Sequence, residues 1–233
     1  MRALLLAAGL GTRLRPLTDF TPKCLVSIAG CPLLGIWLKQ LTNAGVGPVL
    51  VNTHYLADQV EAFLESSKYA HDVTIVNEPI LRGTAGTLIA NLDFFQNEEC
   101  ILIHADNYSQ ADLLAFRKAH LNRPSYCVMT MMTFRTESPS TCGIIEKNDS
   151  DVLTNFYEKV ENPPGNLANG AIYILSKESL KEIAENFQKA TDFSNDIIKN
   201  FLGRIYIYET TEVFLDIGTP ESYGTANRIA KIC

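Results

Sequence analysis

The chain opens on an apolar run, Ala3–Ala8, and similar short runs recur at Val49–Asn52, Val73–Val76 and Cys100–His104. Short runs rich in Leu and β-branched residues, bounded by turn residues, read as buried strands. Helical spacing fills the gaps. Leu34, Trp37, Leu38 and Leu41 recur on one helical face, and Gly45 supplies a stop signal. Leu56, Val60, Phe63 and Leu64 form a second stripe, and GTAGTLIANLDFF, starting at Gly83, passes from glycines into good helix formers. Strand and helix alternating this far predict βαβ units and a parallel sheet.

The second half follows another pattern. YCVMTMMTF, CGIIEKN, VLTNFYEKV and LANGAIYIL are strand-like runs with no helix between them. KNDSD predicts a hairpin turn and ENPPGN a rigid loop. Helices are expected at Lys177–Asn186 and Phe193–Leu202, then the strand-like RIYIYE and EVFLDIG, then a last helix from Pro220. There is no internal repeat, low-complexity tract or linker. The expected fold is α/β: a Rossmann-like three-layer α/β/α sandwich with a mixed, mainly parallel central sheet and a small second lobe.

Composition narrows the function classes. With 46% hydrophobic and 20% charged residues among 233, this is an ordinary soluble globular chain. No apolar run approaches the roughly 20 residues of a membrane span, and no secretory-type progression opens the chain. A net charge of −6 argues against a general nucleic-acid binder, although phosphates can be held where the few cations are concentrated. Cys24, Cys31, Cys100, Cys127, Cys142 and Cys233 form no CxxC pair and have mostly apolar neighbours. They are expected to be reduced core thiols of a cytoplasmic protein, not metal ligands. His54, His71, His104 and His120 are scattered and suggest roles in the fold.

The first glycine cluster is read by elimination. Gly9-Leu10-Gly11-Thr12-Arg13-Leu14 lacks the third glycine of a dinucleotide fingerprint, which disfavours a nicotinamide-dependent oxidoreductase, and no P-loop motif is present. What remains is a strand, a glycine turn with free N–H groups, and Arg13 and Arg15. Such a nest suits an anion; the same residues also fit a plain turn with solvated arginines. In TPKCLV, Pro22 stiffens the backbone before Lys23, and the apolar stretch that follows can fix the ammonium. Together these cations make a triphosphate site plausible. Asp106 closes the strand ILIHAD, where ligands of an open α/β sheet gather, or makes an Asx turn with Asn107. Asp216, in FLDIGTP, is placed alike, with a cap or turn role as its alternative. Glu158 and Lys159 in FYEKVENP fit either a site or a surface pair. Neighbours on a strand face opposite sides, so a shared role for them requires a bend.

LAAGLGTRLRPLT…PK resembles the signature of the sugar-1-phosphate nucleotidyltransferases, or nucleotide-sugar pyrophosphorylases. GTAG, HADN, FYEKVENP, NGAIYIL and FLDIGTPESY continue the resemblance in order along the chain. It implies one nucleotidyltransferase domain over residues 1–233, with a nucleotide-binding half, 1–125, and a sugar-phosphate-binding half, 126–233. Ala7, Ala8, Gly9, Gly11 and Thr12 would hold the nucleotide. Arg13, Lys23 and Asp106 would be catalytic, with Asp106 and Asp216 holding Mg²⁺. Glu78, Gly83 and Thr84 would read the base, with Ala85 beside them. Gly143, Glu158, Lys159, Asn169 and Gly170 would take the sugar phosphate. Two departures stand out: His104-Ala105 precedes Asp106 where the family usually shows Gly, and Cys142 precedes Gly143 where Tyr is common.

The implied reaction joins an NTP and a sugar-1-phosphate into an NDP-sugar and pyrophosphate. A carboxylate at Glu78 only accepts hydrogen bonds. It suits guanine, with two adjacent donors, or uracil and thymine, with one, and it excludes ATP and CTP. The motifs look most like the mannose- or heptose-1-phosphate guanylyltransferases, so GTP is favoured over UTP or dTTP. A non-catalytic sugar-nucleotide sensor should have lost Arg13, Lys23 or a metal carboxylate, and all are present. No nucleic-acid or membrane partner is expected, and a monomer or homodimer is. The hexapeptide repeats of the C-terminal β-helix found in many relatives do not occur before Cys233.

Overall fold

The computed structural model describes residues 1–230. In chain order the elements are β1 (Arg2–Leu6), β2 (Ser27–Ile28), β3 (Cys31–Pro32), α1 (Leu33–Asn43), β4 (Val49–Thr53), α2 (Ala57–Ser66), β5 (Val73–Asn77), α3 (Gly83–Ala90), β6 (Cys100–His104), β7 (Asn107–Ser109) and α4 (Leu113–Leu121). Then come β8 (Met129–Arg135), β9 (Gly143–Lys147), β10 (Leu153–Glu158), β11 (Leu167–Leu175), α5 (Lys177–Asn186), β12 (Ile205–Glu209), β13 (Phe214–Asp216) and α6 (Pro220–Ile229). The fold is α/β with a mixed, mostly parallel central sheet, as the alternation predicts. No helix among the described residues is long and apolar enough to cross a membrane.

The chain divides into two compact units, and each half of the sequence contributes to both. One unit takes residues 2–81, 103–110 and those from 213 onward. Here β1, β4 and β5 run parallel, with Leu5 beside Val51 and Val51 beside Ile75. All of β4 is buried. The stripe expected on α1 is the buried one: Leu34, Trp37, Leu38 and Leu41 are all within the core. The Trp37 indole N–H donates to the Asn107 carbonyl at 2.9 Å, which anchors β7 beside Asp106. Strand β7 pairs antiparallel with β13, setting Asn107 opposite Asp216.

The other unit takes Met1 and residues 82–102 and 111–212. Its strands lie in the order β10, β9, β11, β8, β12, antiparallel except that β12 runs parallel to β8. The pairing of β11 with β8 is irregular between Asn169 and Tyr173. Asp112 caps α4 by accepting from the Leu114 and Ala115 N–H groups, and Ser176 caps α5 through Ser179. The buried face of α4 is Leu113, Phe116 and His120, a stripe too poor in apolar residues to stand out in the sequence.

Two expectations need correction. Phe193–Leu202 is not an α-helix: Phe193–Ile197 is a π turn and Ile198–Phe201 a 3₁₀ turn. Asp196 accepts from the Thr191 and Asp192 N–H groups, and Asp192 from Asn195, so side chains close this loop in place of an α-helical ladder. Cys24, Cys100 and Cys127 are buried thiols outside any disulfide, and Cys142 is a partly exposed one. Cys31 is disulfide-bonded, contrary to the expected reduced thiol; it lies partly exposed in the two-residue β3, not in the core. Cys233 lies outside the described residues.

His120 gives a pH prediction. It is fully buried, with Nδ1 2.7 Å from the Thr130 hydroxyl and Nε2 3.3 Å from Glu99. Burial lowers its pKa, against a partial opposing pull from Glu99. A group that binds its proton less readily when folded stabilises the fold fully above its ordinary value, about 6.5, and loses that contribution as pH falls. Thermal melts are expected to show a midpoint that falls as pH drops below about 6.5. His120→Gln should flatten that decline. Equal slopes in both proteins would contradict the assignment.

Candidate active site

The glycine loop leaves β1 at Leu6, and its first groups are tied down at once. The Ala7 N–H donates to Asn52 Oδ1 at 2.8 Å, and Ala8 is buried beside it. Gly9 meets nothing where a Cβ would stand, so packing does not require glycine there. Gly11 is required: its φ is +63°, and a Cβ would lie 2.9 Å from Thr18 Cγ2 and 3.1 Å from Lys23 Cβ. Thr18 fastens this turn by donating to the Gly11 carbonyl at 2.7 Å. Thr12, Arg13 and Leu14 form a 3₁₀ turn with Leu14 buried, which leaves Arg13 exposed. Arg15 pairs with Asp19 at 3.1 Å and is committed there.

Pro22 holds an extended backbone before a short 3₁₀ turn at Lys23–Leu25, and Cys24 anchors that turn in the core. The Lys23 side chain is buried, and its Nζ lies 2.9 Å from Asp106 Oδ2 and 3.5 Å from Asp216 Oδ1. Arg13 reaches Asp216 Oδ2 at 3.5 Å. Four charged residues from three distant segments therefore form one cluster. The β7–β13 register accounts for it, because Asp216 opposite Asn107 brings the second carboxylate to the first. Burial alone would raise the Asp106 pKa. Lys23, with a smaller contribution from His104, outweighs that and holds it below the ordinary carboxylate value. The side chains of Asp106 and Asp216 keep 38% and 50% of their surface exposed, so both remain accessible to a ligand.

Glu78 follows β5 and is only 1% exposed. Its N–H donates to the Thr53 carbonyl, and its Oε1 accepts from Asn52 Nδ2 at 3.3 Å. Asn52 thus links the glycine loop to the proposed base-reading carboxylate. It was not singled out in the sequence; its one signal is an amide near the end of the otherwise apolar run VLVNT.

The remaining expected site residues lie in the other unit. Gly83 opens α3 with φ +78°, and a Cβ there would lie 2.3 Å from the Thr191 carbonyl oxygen. The Ala85 N–H donates to that oxygen, and the Thr84 hydroxyl accepts from the Phe193 N–H at 2.7 Å. Gly143 opens β9, where a Cβ would stand 2.7 Å from Glu158 Oε2, so glycine lets that carboxylate lie against the strand. The bend required after Glu158 is present: Lys159 has φ +48°, and its Nζ lies 3.5 Å from Glu158 Oε1. Asn169 and Gly170 sit in the irregular stretch of β11. There Asn169 accepts from the Ala171 N–H at 2.9 Å and donates to the Tyr173 hydroxyl at 2.6 Å.

Residues 2–231 match the family described as nucleotidyl transferase. The chain belongs to this family. It is 28% identical over 237 residues to the mannose-1-phosphate guanylyltransferase of Mycobacterium tuberculosis, covering 99% of this chain and 65% of that one. It is 29% identical over 250 residues to the glucose-1-phosphate adenylyltransferase of Desulfitobacterium hafniense, covering 97% and 63%. The chain thus spans just under two thirds of these curated relatives. A Bacillus anthracis structure in complex with sucrose, named a candidate glucose-1-phosphate thymidylyltransferase, superposes with a TM-score of 0.87 at 20% identity, over 99% of this chain and 95% of that one. HddC from Yersinia pseudotuberculosis, solved with GMP-PN, superposes with a TM-score of 0.81 at 25% identity, over 97% and 98%.

In this nucleotidyltransferase-family chain, the cluster's donor set bears on a metal. Two half-exposed carboxylates already converge on one cationic atom, Lys23 Nζ. That arrangement suits Mg²⁺, which takes one or two protein carboxylates and fills its octahedron with water and phosphate oxygens. No group of three or more acidic, His or Cys ligands exists among the described residues.

Gly218 offers a local test. A Cβ there would lie 2.9 Å from Arg13 Nη1, at the end of a flexible side chain that is 67% exposed. Gly218→Ala is expected to leave stability within about 0.5 kcal/mol while displacing the guanidinium and lowering turnover about tenfold. Unchanged turnover would count against a role for the Arg13 guanidinium at this position.

Proposed function

We propose that this chain catalyses nucleotidyl transfer from GTP to a mannose-like sugar-1-phosphate, forming a GDP-sugar and pyrophosphate. The observation that carries the reading is the junction of Arg13 and Lys23 with Asp106 and Asp216 in one cluster. Cations are needed because the reaction brings two anions together. No general base is needed, since a phosphate with a second pKa of about 6 is largely dianionic at neutral pH. Catalysis is then positioning and charge neutralisation.

Arg13 would hold the β- and γ-phosphates and steady the departing pyrophosphate. Lys23 would neutralise charge at the α-phosphate. Ala8, Gly9, Gly11 and Thr12 would present loop N–H groups to the nucleotide, and Ala7, whose N–H is held by Asn52, would fix the start of the loop beside it. Lys159 would bind the incoming sugar phosphate, and Glu158 the sugar hydroxyls, with Gly143, Asn169 and Gly170 shaping their surroundings. Mg²⁺ held by Asp106 and Asp216 would supply further charge neutralisation on the phosphates.

The guanine preference rests on Glu78, an acceptor-only group. The mannose-1-phosphate guanylyltransferase relatives and the HddC complex with GMP-PN agree with it. The adenylyltransferase relative favours a second reading, in which another base is accepted. The test is pyrophosphate release with Mg²⁺ across GTP, UTP, dTTP and ATP, each paired with a panel of sugar-1-phosphates. GTP with mannose-1-phosphate is expected to be turned over fastest. Turnover of another nucleotide with GTP inert would overturn the base assignment, and no release from any pair would overturn the activity.

A further inference from the structure

The segment Thr191–Ser194 touches residues assigned to both substrates. On one side the Thr191 carbonyl accepts from the Ala85 N–H at 3.0 Å and occupies the space a Gly83 side chain would need. The Phe193 N–H donates to the Thr84 hydroxyl at 2.7 Å. On the other side the buried Phe193 ring packs on Tyr173 with centroids 4.7 Å apart, and Ser194 is hydrogen-bonded to the Tyr173 hydroxyl. That hydroxyl accepts from Asn169 at 2.6 Å. The segment is itself held by Asp196, whose Oδ2 accepts from the Thr191 and Asp192 N–H groups at 2.8 and 2.9 Å.

We propose that Thr191–Ser194 is a shared positioning element that sets the base-reading turn and the sugar-facing strand together, with Asp196 as its clamp and Tyr173 as its contact to Asn169. The inference rests on the roles given above to Gly83, Thr84 and Asn169. Asp196 and Tyr173 act through other residues and contact no reacting atom. Phe193 is fully buried and Tyr173 nearly so, so the element is stiff where it joins the strand. A loosened clamp should therefore be felt at both ends, and a lost Tyr173 hydroxyl at one.

The experiment compares Asp196→Ala and Tyr173→Phe with wild type in steady-state kinetics and amide hydrogen exchange. Asp196→Ala is expected to raise KM for both GTP and the sugar-1-phosphate about fivefold, the scale of one hydrogen bond, with kcat within twofold. Tyr173→Phe is expected to raise only the sugar-1-phosphate KM by a similar factor. In Asp196→Ala the Ala85 amide on the base-reading side and the Ala171 amide, bonded to Asn169 on the sugar-facing strand, should exchange faster together. Asp196→Ala that shifts one KM or neither would overturn the proposal. So would a lower melting temperature with a proportional fall in kcat and both KM values unchanged, the mark of a merely structural role. If wild type releases no pyrophosphate with any pair, the activity reading fails; the exchange data still decide whether the segment holds both ends, and independent exchange of the two amides would refute it.

Discussion

Asp106→Ala is expected to lower turnover at least about a hundredfold, since one preorganised electrostatic contact contributes on the order of 3 kcal/mol to a transition state. The chain should stay folded. Lys23 keeps Asp216 within 3.5 Å, so its buried ammonium is not left alone, and the Asp106 side chain is already more than one-third exposed. Arg13→Ala should lose a similar factor without unfolding, because its guanidinium is largely solvated and its contact with Asp216 is long. The measurement is pyrophosphate release with a melting curve for each variant. A near wild-type rate in either would remove that residue from the catalytic set. A collapsed melting curve for Asp106→Ala would show that the carboxylate serves mainly to neutralise Lys23.

Gly83→Ala should have the largest effect on stability. The left-handed backbone at φ +78° costs an L-residue about 1–2 kcal/mol. The clash is with backbone, the Thr191 carbonyl oxygen at 2.3 Å, so no side chain can swing aside. Moving that carbonyl would weaken the Ala85–Thr191 hydrogen bond and disturb the neighbouring Thr84–Phe193 bond. A total loss of about 2–4 kcal/mol is expected, from backbone strain and forced repacking together. It would be read as a lower denaturant midpoint with unchanged slope. A change below about 0.5 kcal/mol would mean that Thr191–Ser194 yields easily, and would weaken the positioning role given to it.

Much of the fold was legible because hydrophobic periodicity reports burial directly. The α1 stripe and the strand cores at 49–52 and 100–104 were readable for that reason, whereas 73–76 is a strand but not a buried one, because β5 ends the sheet order and none of its residues is buried. The Glu158–Lys159 pair was informative in another way: a two-residue period forbids both from sharing a face, and the structure answers with the positive φ at Lys159. The meeting of Asp106 with Asp216 was not legible locally. It depends on β13 pairing with β7 across a long stretch of chain, which only resemblance to the family suggested. Asn52, Tyr173 and Asp196 were missed because each is a single polar residue whose work is a contact closed by the tertiary fold. The π turn at 193–197 was hidden for a related reason, since Asp192 and Asp196 side chains replace part of the ladder that the apolar pattern implied.

The most direct test of the central claim is anomalous diffraction from crystals grown with Mn²⁺ and a non-hydrolysable GTP analogue. The account predicts one strong peak within coordination distance of carboxylate oxygens from both Asp106 and Asp216, with the triphosphate lying along Gly9–Arg13. Bound nucleotide with no peak there, or with its phosphates away from Arg13 and Lys23, would contradict it.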